Sequence, residues 1–153
     1  MSKVIKTIEV DVPVSTVFDE WMRFEALPRF MRGVVAVKRL DDRHLFWRAQ
    51  VFGVEQVWEL EITDIAPERM VAWASCGGPR NRGVLTLQPL ASFGTRVTVE
   101  MHYEPQGVIE EITDYFGVLS RWLERSLIGF KELMEHRSSR FGRLPSAEEL
   151  VGQ

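Results

Sequence analysis

The feature that most constrains this chain is a long apolar stripe close to its end. Between Val108 and Arg137, apolar residues recur at steps of three and four, the spacing of one face of an α-helix. The stripe consists of Ile109, Ile112, Phe116, Leu119, Leu123, Leu127, Phe130, Leu133 and Met134. A single helix of about 45 Å, at about 1.5 Å per residue, needs a large apolar surface to cover it. We therefore expect the rest of the chain to form a sheet that curls around this helix.

Size and composition limit the class of protein. With 153 residues, 45% hydrophobic and 27% charged, the chain is predicted to be one soluble domain with a sizeable core. No apolar run approaches the roughly 20 residues that span a bilayer, and the first residues lack a signal-peptide core. Membrane insertion is therefore not expected. The single cysteine excludes an internal disulfide, which fits a cytoplasmic location.

Charge argues against one class of partner. The formal net charge is −3 and the isoelectric point is about 5.7, so broad electrostatic capture of nucleic acid is not expected.

The first part of the chain predicts one strand and two short helices. Lys3–Val12 alternates between apolar and polar residues, as a half-buried strand does. Pro13 stands where a first helical turn tolerates proline, and apolar residues continue at helical spacing to Met22. The Leu27-Pro28 step breaks that helix, so Glu25–Met31 is predicted to be a second short helix or turn.

Six further strands are predicted before the long helix. Their connections are short and rich in turn residues, so neighbouring strands should pair antiparallel. The predicted strands are Val34–Asp41, His44–Phe52, Val54–Asp64, Met70–Cys76, Gly83–Leu90 and Thr95–Glu104. The predicted fold class is α+β, with one domain over residues 1–137. Residues 138–153 form a polar tail in which a short helix is the alternative to fraying.

The local sequence resembles a known superfamily over nearly the whole chain. The segments that carry the likeness are Val12-Pro13-Val14, Val17–Trp21, Phe24–Met31, Trp58–Ile62, Ala72–Ser75, Asn81–Val84, Gly94–Val99 and Phe130–Glu135. They are similar to the bacterial cyclase/dehydrase branch of the START-related (SRPBCC) superfamily. The resemblance implies a helix-grip fold, in which a curved antiparallel sheet of about seven strands wraps around a long C-terminal helix.

The resemblance leaves three functions open, because one fold supports many functions. The first is binding or carriage of a small hydrophobic ligand, such as a lipid, polyketide or quinone-like molecule. The second is an enzyme of the polyketide cyclase or aromatase type. The third is a protein-interaction module without a ligand. We favour the first function, without a cofactor, over an enzyme.

Large apolar side chains are the candidate ligand contacts. Trp47, Trp58, Met101, Tyr103 and Phe116 are placed between sheet and helix, and the stripe adds Leu119. Plain core packing is the alternative for all of them, and Trp73 is ambiguous because alternation can turn it either way. Glycines at 107 and 117 favour a modest cavity that opens beside the front of the long helix.

Four arginines are predicted to share one rim of the sheet. Alternate connections of an up-and-down sheet lie at the same end, which gathers Arg29, Arg32, Arg80 and Arg82 at one rim. The resemblance to helix-grip proteins implies that ligands enter at this rim. Arginine suits carboxylate and phosphate groups. Arg80 and Arg82 are therefore candidate ligand contacts, and solvated loop arginines are the alternative.

Catalytic chemistry has weak support, and no catalytic residue is assigned. Arg48, Gln50 and Tyr103 are the only polar residues we nominate for proton transfer inside the sheet. The three histidines have no neighbours at metal-ligand spacing, so no metal site is predicted. Cys76 is predicted to be a small, at least half-buried residue and not a nucleophile.

Overall fold

The computed structural model describes residues 2–51, 53–78, 80–103 and 115–141. Within these ranges, the side chains of Ser2, Val51, Tyr115, Phe116 and residues 137–141 lie outside the description. The predicted start of the long helix at Val108 and the tail from 142 onward lie outside the described residues as well.

Seven strands, two α-helices and one 3₁₀ helix make up the described chain. The strands are β1 Ser2–Val10, β2 Val34–Arg39, β3 His44–Val51, β4 Val54–Ala66, β5 Met70–Gly77, β6 Asn81–Pro89 and β7 Thr95–Tyr103. The helices are α1 Val14–Trp21, the 3₁₀ helix Phe24–Arg29 and α2 Tyr115–Phe141. Every predicted element is present within the described residues, and α2 continues past the predicted end at Arg137.

The strands form one antiparallel sheet in the order β1-β7-β6-β5-β4-β3-β2. β2 to β7 pair with their neighbours in sequence, as short connections require. β1 pairs with β7 along its whole length, from Ser2 opposite Tyr103 to Val10 opposite Thr95. The helical insertion after β1 therefore separates two strands that end up far apart in the sheet. The predicted helix-grip architecture is confirmed.

The long helix lies on the concave face of the sheet with its apolar stripe inward. Leu123, Leu127, Phe130 and Met134 are almost completely buried, at 0–3% exposure. They meet the inward residues of the sheet, among them Val97 and Val99 on β7, in one continuous core. The period of the stripe thus placed the helix correctly, because only one face of it is apolar enough to bury.

An aromatic cluster closes the end of the core beneath α1. The ring of Phe130 on α2 meets the rings of Trp21 and Phe30 edge to face, with both centroid distances 5.2 Å. Such pairs add stabilisation beyond the area that they bury. A void of about 50 Å³ remains beside this cluster, lined by Trp21, Phe24 and Leu27 among others.

Candidate functional site

A cavity of about 250 Å³ lies between the sheet and the N-terminal half of α2. Four of the five tryptophans of the chain line it. These are Trp47, Trp58, Trp73 and Trp122, and they are joined by Tyr103. We call this space the tryptophan cavity. Ordinary packed cores leave few voids larger than a water molecule, so a void of this size is a specific feature of the fold.

Strand register brings the aromatic side chains together in pairs. Trp47 on β3 lies directly opposite Trp58 on β4. Tyr103 on β7 lies directly opposite Asn81 on β6. Directly opposed residues share one face of an antiparallel sheet, and all four line the cavity.

Trp73 on β5 also points inward, which resolves its ambiguity in the sequence. Register shifts between β4 and β5 interrupt simple alternation at this place. The indole lies against Gly83 of β6, where an added Cβ would collide with Trp73 Cζ2 and Cε2. Glycine at 83 is therefore required for this position of the ring.

The polar groups of the cavity differ in how well they are satisfied. The Nε1 of Trp47 is buried and has no hydrogen-bond partner among the described residues. The Nε1 of Trp122 instead donates to the Arg32 carbonyl at 2.7 Å. Asn81 is buried, and its backbone N–H donates to the hydroxyl of Ser75 at 3.0 Å. A mostly apolar wall with a few polar groups is typical of a small-molecule site.

Most of the predicted ligand contacts lie together at this cavity. Trp47, Trp58, Met101, Tyr103 and Leu119 all line it. The side chain of Phe116 lies outside the described residues. Of the residues nominated for proton transfer, Gln50 and Tyr103 line the cavity and Arg48 does not. Arg48 is exposed, between the cavity residues Trp47 and Ala49 on β3.

The arginines are arranged differently from the prediction. The connections predicted to share a rim do meet there, since Gly33, Gln50, Asn81 and Tyr103 all line the cavity. Arg32 lines it as well, whereas Arg80 and Arg82 do not. Arg82 follows the buried Asn81 and alternates to the convex face, opposite Ala74 and His102.

Sequence reasoning missed Asn81, Ala49 and Trp122 as cavity residues. β6 begins at Asn81, before the predicted start at Gly83, so Asn81 was assigned to a loop. The signal that could have found it is its position two residues before Gly83, on the same face of the strand. Trp122 neighbours the stripe residue Leu123, and only the packing around the helix decides that it reaches the cavity.

Cys76 corrects one expectation and supports another. It is exposed, not half-buried. Its thiol donates to the Glu59 carboxylate at 3.3 Å. Local desolvation, together with this carboxylate, raises the pKa of the Cys76 thiol above its ordinary value. The thiol is thus protonated near neutral pH, which disfavours a nucleophilic role.

The described residues lack two features that define other classes of protein. Within these ranges, no group of three or more His, Cys, Asp or Glu side chains is arranged to hold a metal ion. No helix in the same ranges is long and apolar enough to cross a membrane.

Comparison with known proteins identifies the family. The model of the polyketide cyclase/dehydrase and lipid transport family matches residues 10–132. An uncharacterized 17.2 kDa protein of Streptomyces lincolnensis is 36% identical over 143 residues, which cover 93% of this chain and 95% of the relative. The chain therefore belongs to the polyketide cyclase/dehydrase and lipid transport family.

Solved structures share the fold at low sequence identity. A START superfamily protein from Mycobacterium smegmatis is 17% identical, with a TM-score of 0.71 over 86% of this chain and 98% of that chain. The Zhui aromatase/cyclase from Streptomyces sp. R1128 is 14% identical, with a TM-score of 0.73 over 93% of this chain and 96% of that chain. At these identities the likeness establishes the fold alone.

Proposed function

We propose that this protein binds a small, flat, hydrophobic molecule in the tryptophan cavity. The observation that carries this proposal is an apolar void of about 250 Å³ beneath α2, which is much larger than the void of about 50 Å³ beside Trp21 and Phe24. An engineered apolar cavity of about 150 Å³ is enough to bind benzene. The tryptophan cavity therefore has room for a larger ring system or a folded acyl chain.

The composition of the wall supports a flat ligand with at least one oxygen. Indole rings offer broad apolar faces on which another ring can stack. Tyr103 and Asn81 are polar groups opposite each other on the cavity face. The buried N–H of Trp47 has no partner among the described residues, so a ligand carbonyl that reached it through a small ring movement would gain a hydrogen bond.

A second candidate function is cyclisation or dehydration of such a molecule, as the name of the family includes. The observation that favours it is the Asn81–Tyr103 pair, because an amide and a phenol can polarise a carbonyl and transfer a proton. Tyr103→Phe separates the two functions. In this variant an enzyme loses turnover while it still binds substrate, whereas a carrier shows no turnover in either form and changes only its affinity.

A plugged cavity tests the proposal directly. Ala49 is buried in the cavity wall, so Ala49→Phe should fill the space and weaken binding of 2-naphthol at least about tenfold in calorimetry. Val57→Phe is the matched control, because Val57 is exposed and lines no part of the cavity. Leu119→Trp fills the same space from α2, in case Ala49→Phe does not fold.

Native mass spectrometry of the protein from its own source completes the test. A co-purifying lipid or polyketide that is absent from Ala49→Phe is the expected result. Two results together would contradict ligand binding: a clean unliganded mass, and equal affinity for 2-naphthol in Ala49→Phe and Val57→Phe. The function as a protein-interaction module would then remain.

A further inference from the structure

A second cavity, about 240 Å³ in volume, lies between the end of the 3₁₀ helix and the middle of α2. Three of its lining residues are arginines, namely Arg29, Arg32 and Arg125. None of the lining residues is acidic. Ser126 and Gly129 of α2 line it too. We call it the arginine groove. The groove is thus a local positive cluster in a chain of net charge −3.

The arginines of the groove are not equally available. Arg29 is bonded through Nη2 to Glu20, a buried carboxylate that Arg23 also contacts at 3.4 Å. Arg32 and Arg125 form no ion pair among the described residues. Arg29 is thus paired with a carboxylate of the protein itself. The guanidinium groups of Arg32 and Arg125 are available to donate hydrogen bonds to a ligand.

The sequence of α2 explains why Arg125 has no carboxylate partner on its own helix. Partners on a helix surface stand three or four residues away. Those positions hold Arg121, Trp122, Ile128 and Gly129, and none is acidic. The adjacent Glu124 pairs with Lys6 on β1 at 3.7 Å instead.

The buried hydroxyl of Ser126 is a second feature of the groove, independent of the arginines. The residue is 3% exposed, and its hydroxyl is buried without a hydrogen-bond partner among the described residues. Buried polar groups without partners are rare and costly. A hydroxyl in this state beside two unpaired arginines indicates a missing acceptor.

The groove is built on fixed backbone. A Cβ at Gly129 would lie 3.2 Å from both the carbonyl oxygen and the Cβ of Phe30, so glycine permits this close approach of α2. Trp122 fixes the next segment through its hydrogen bond to the Arg32 carbonyl. The backbone is therefore held on both sides of the groove, and a ligand would have to order only the exposed side chains of Arg32 and Arg125.

We propose that the arginine groove is an oxyanion site for the phosphate or carboxylate group of a small molecule. Arg32 and Arg125 bind the anion through charge-assisted hydrogen bonds, and the Ser126 hydroxyl is a further donor. Arg29 is a positioning residue. Because Arg32 lines the tryptophan cavity as well, the anion is either the acidic end of the ligand in that cavity or a free phosphate.

Titration with inorganic phosphate tests the groove without any cavity ligand. At constant ionic strength, the Nε signals of Arg32 and Arg125 should shift with one saturable constant, about millimolar for a small ion. Arg32→Gln and Arg125→Gln should each weaken phosphate binding about tenfold. Ser126→Ala should weaken it severalfold. Arg121→Gln removes the same charge from the same helix outside the groove and should change the constant less than about twofold.

A pair of naphthalene probes distinguishes the two sources of the anion. If the groove binds the acidic end of the cavity ligand, naphthalene-1-acetate should bind at least about tenfold more tightly than naphthalene-1-methanol. Arg125→Gln should remove that difference, and phosphate should compete for it. If the groove binds a free phosphate, the two probes should bind equally and phosphate should bind beside them.

The proposal is overturned if phosphate gives no saturable shift, or if Arg121→Gln weakens it as much as Arg32→Gln and Arg125→Gln do. Either result leaves ligand binding in the tryptophan cavity intact, provided that naphthalene-1-methanol still binds. If the protein binds phosphate but neither naphthalene probe, the result would contradict ligand binding in the tryptophan cavity and leave the proposed anion site intact.

Discussion

The two halves of the long helix cover very different interiors. In the C-terminal half, Phe130 is fully buried and its ring meets Trp21 and Phe30 edge to face. In the N-terminal half, Leu119 and Trp122 are half-buried and line a cavity of about 250 Å³. Both halves carry large apolar side chains at the same helical spacing. The difference therefore lies in what the sheet and the early helices bring to meet them.

The early helices account for much of this difference. α1 and the 3₁₀ helix cover one end of the curled sheet and contribute Trp21, Phe24 and Leu27 to the core. At the other end, the cavity is lined by the strands, Arg32, Gly33 and α2. Aromatic rings that find partners from a third layer become core. Trp47 and Trp73 extend from this core, where they lie near Trp21 and Phe24, to the wall of the tryptophan cavity.

The largest expected effect compares one substitution on the two halves. Leu123→Ala removes a side chain that is 3% exposed in the packed core and should lower the free energy of unfolding by about 2–5 kcal/mol. Leu119→Ala, one turn earlier at the cavity, should cost less than about 2 kcal/mol because its neighbours already face a void. Urea unfolding measures both, and equal losses would mean that the two halves are packed alike.

The next effect tests how the cavity wall is held in place. A Cβ at Gly83 would collide with Trp73 and with the Glu100 carbonyl oxygen, so Gly83→Ala should cost about 1–3 kcal/mol and push the indole toward the cavity. Binding of 2-naphthol should weaken with it. Gly77→Ala is the control, because its Cβ would meet only Glu59 Cβ at an ordinary 3.7 Å. Thermal unfolding and calorimetry check both variants, and a Gly83→Ala protein as stable as Gly77→Ala would refute this role of glycine.

A smaller effect compares two indole N–H groups at the cavity. Trp122→Phe removes the hydrogen bond to the Arg32 carbonyl and should cost about 0.5–1.5 kcal/mol from that bond alone. Trp47→Phe removes a buried donor without a described partner, so the relief of that donor should offset much of the lost ring area. Urea unfolding of the unliganded variants gives the order. A larger loss for Trp47→Phe would indicate that its N–H has a partner.

The smallest effect is expected outside both halves, at the exposed turn between β2 and β3. There the His44 ring lies 2.9 Å from Asp41, whose carboxylate raises the pKa of His44 above its ordinary value. The backbone N–H of Arg43, followed by His44 itself, lowers the pKa of Asp41.

These shifts fix the direction of the pH dependence. The contribution of His44 to stability is complete below its unfolded pKa of about 6.5 and is lost as pH rises through its higher folded pKa. The contribution of Asp41 is complete above about 3.9 and is lost as pH falls through its lowered folded pKa. An NMR titration of His44 should give a lower pKa in Asp41→Asn. An unchanged pKa would exclude the pair.

Much of the fold was predictable because apolar residues repeat with a short, regular spacing along each helix and strand. Alternation in several segments, together with the turn residues between them, identified all seven strands. The three-four spacing identified α2, since this period corresponds to one apolar face that must be buried. The cavity residues on clearly alternating strands, such as Trp58 and Tyr103, followed from the same rule. The facing of residues next to a register shift could not be predicted in this way, because a shift of one position moves a side chain to the other face of the sheet.

The arginines show where local reasoning ends. Topology brought the right connections to one rim, but only the start of β6 decided that Asn81 faces the cavity and Arg82 the convex side. The sequence predicts no role for Arg125, because nothing in the sequence of α2 reveals that Arg32 lies across a groove from it.

The sequence by itself determined the strands, the helices and the face that each element buries, since those depend on residues within a few positions of one another. The tertiary structure decided which aromatic side chains fill the interior and which enclose a cavity. It also decided which arginines are left without a carboxylate. Both outcomes depend on how far the sheet curls and where α2 crosses it, and these are set by contacts between residues distant in the chain.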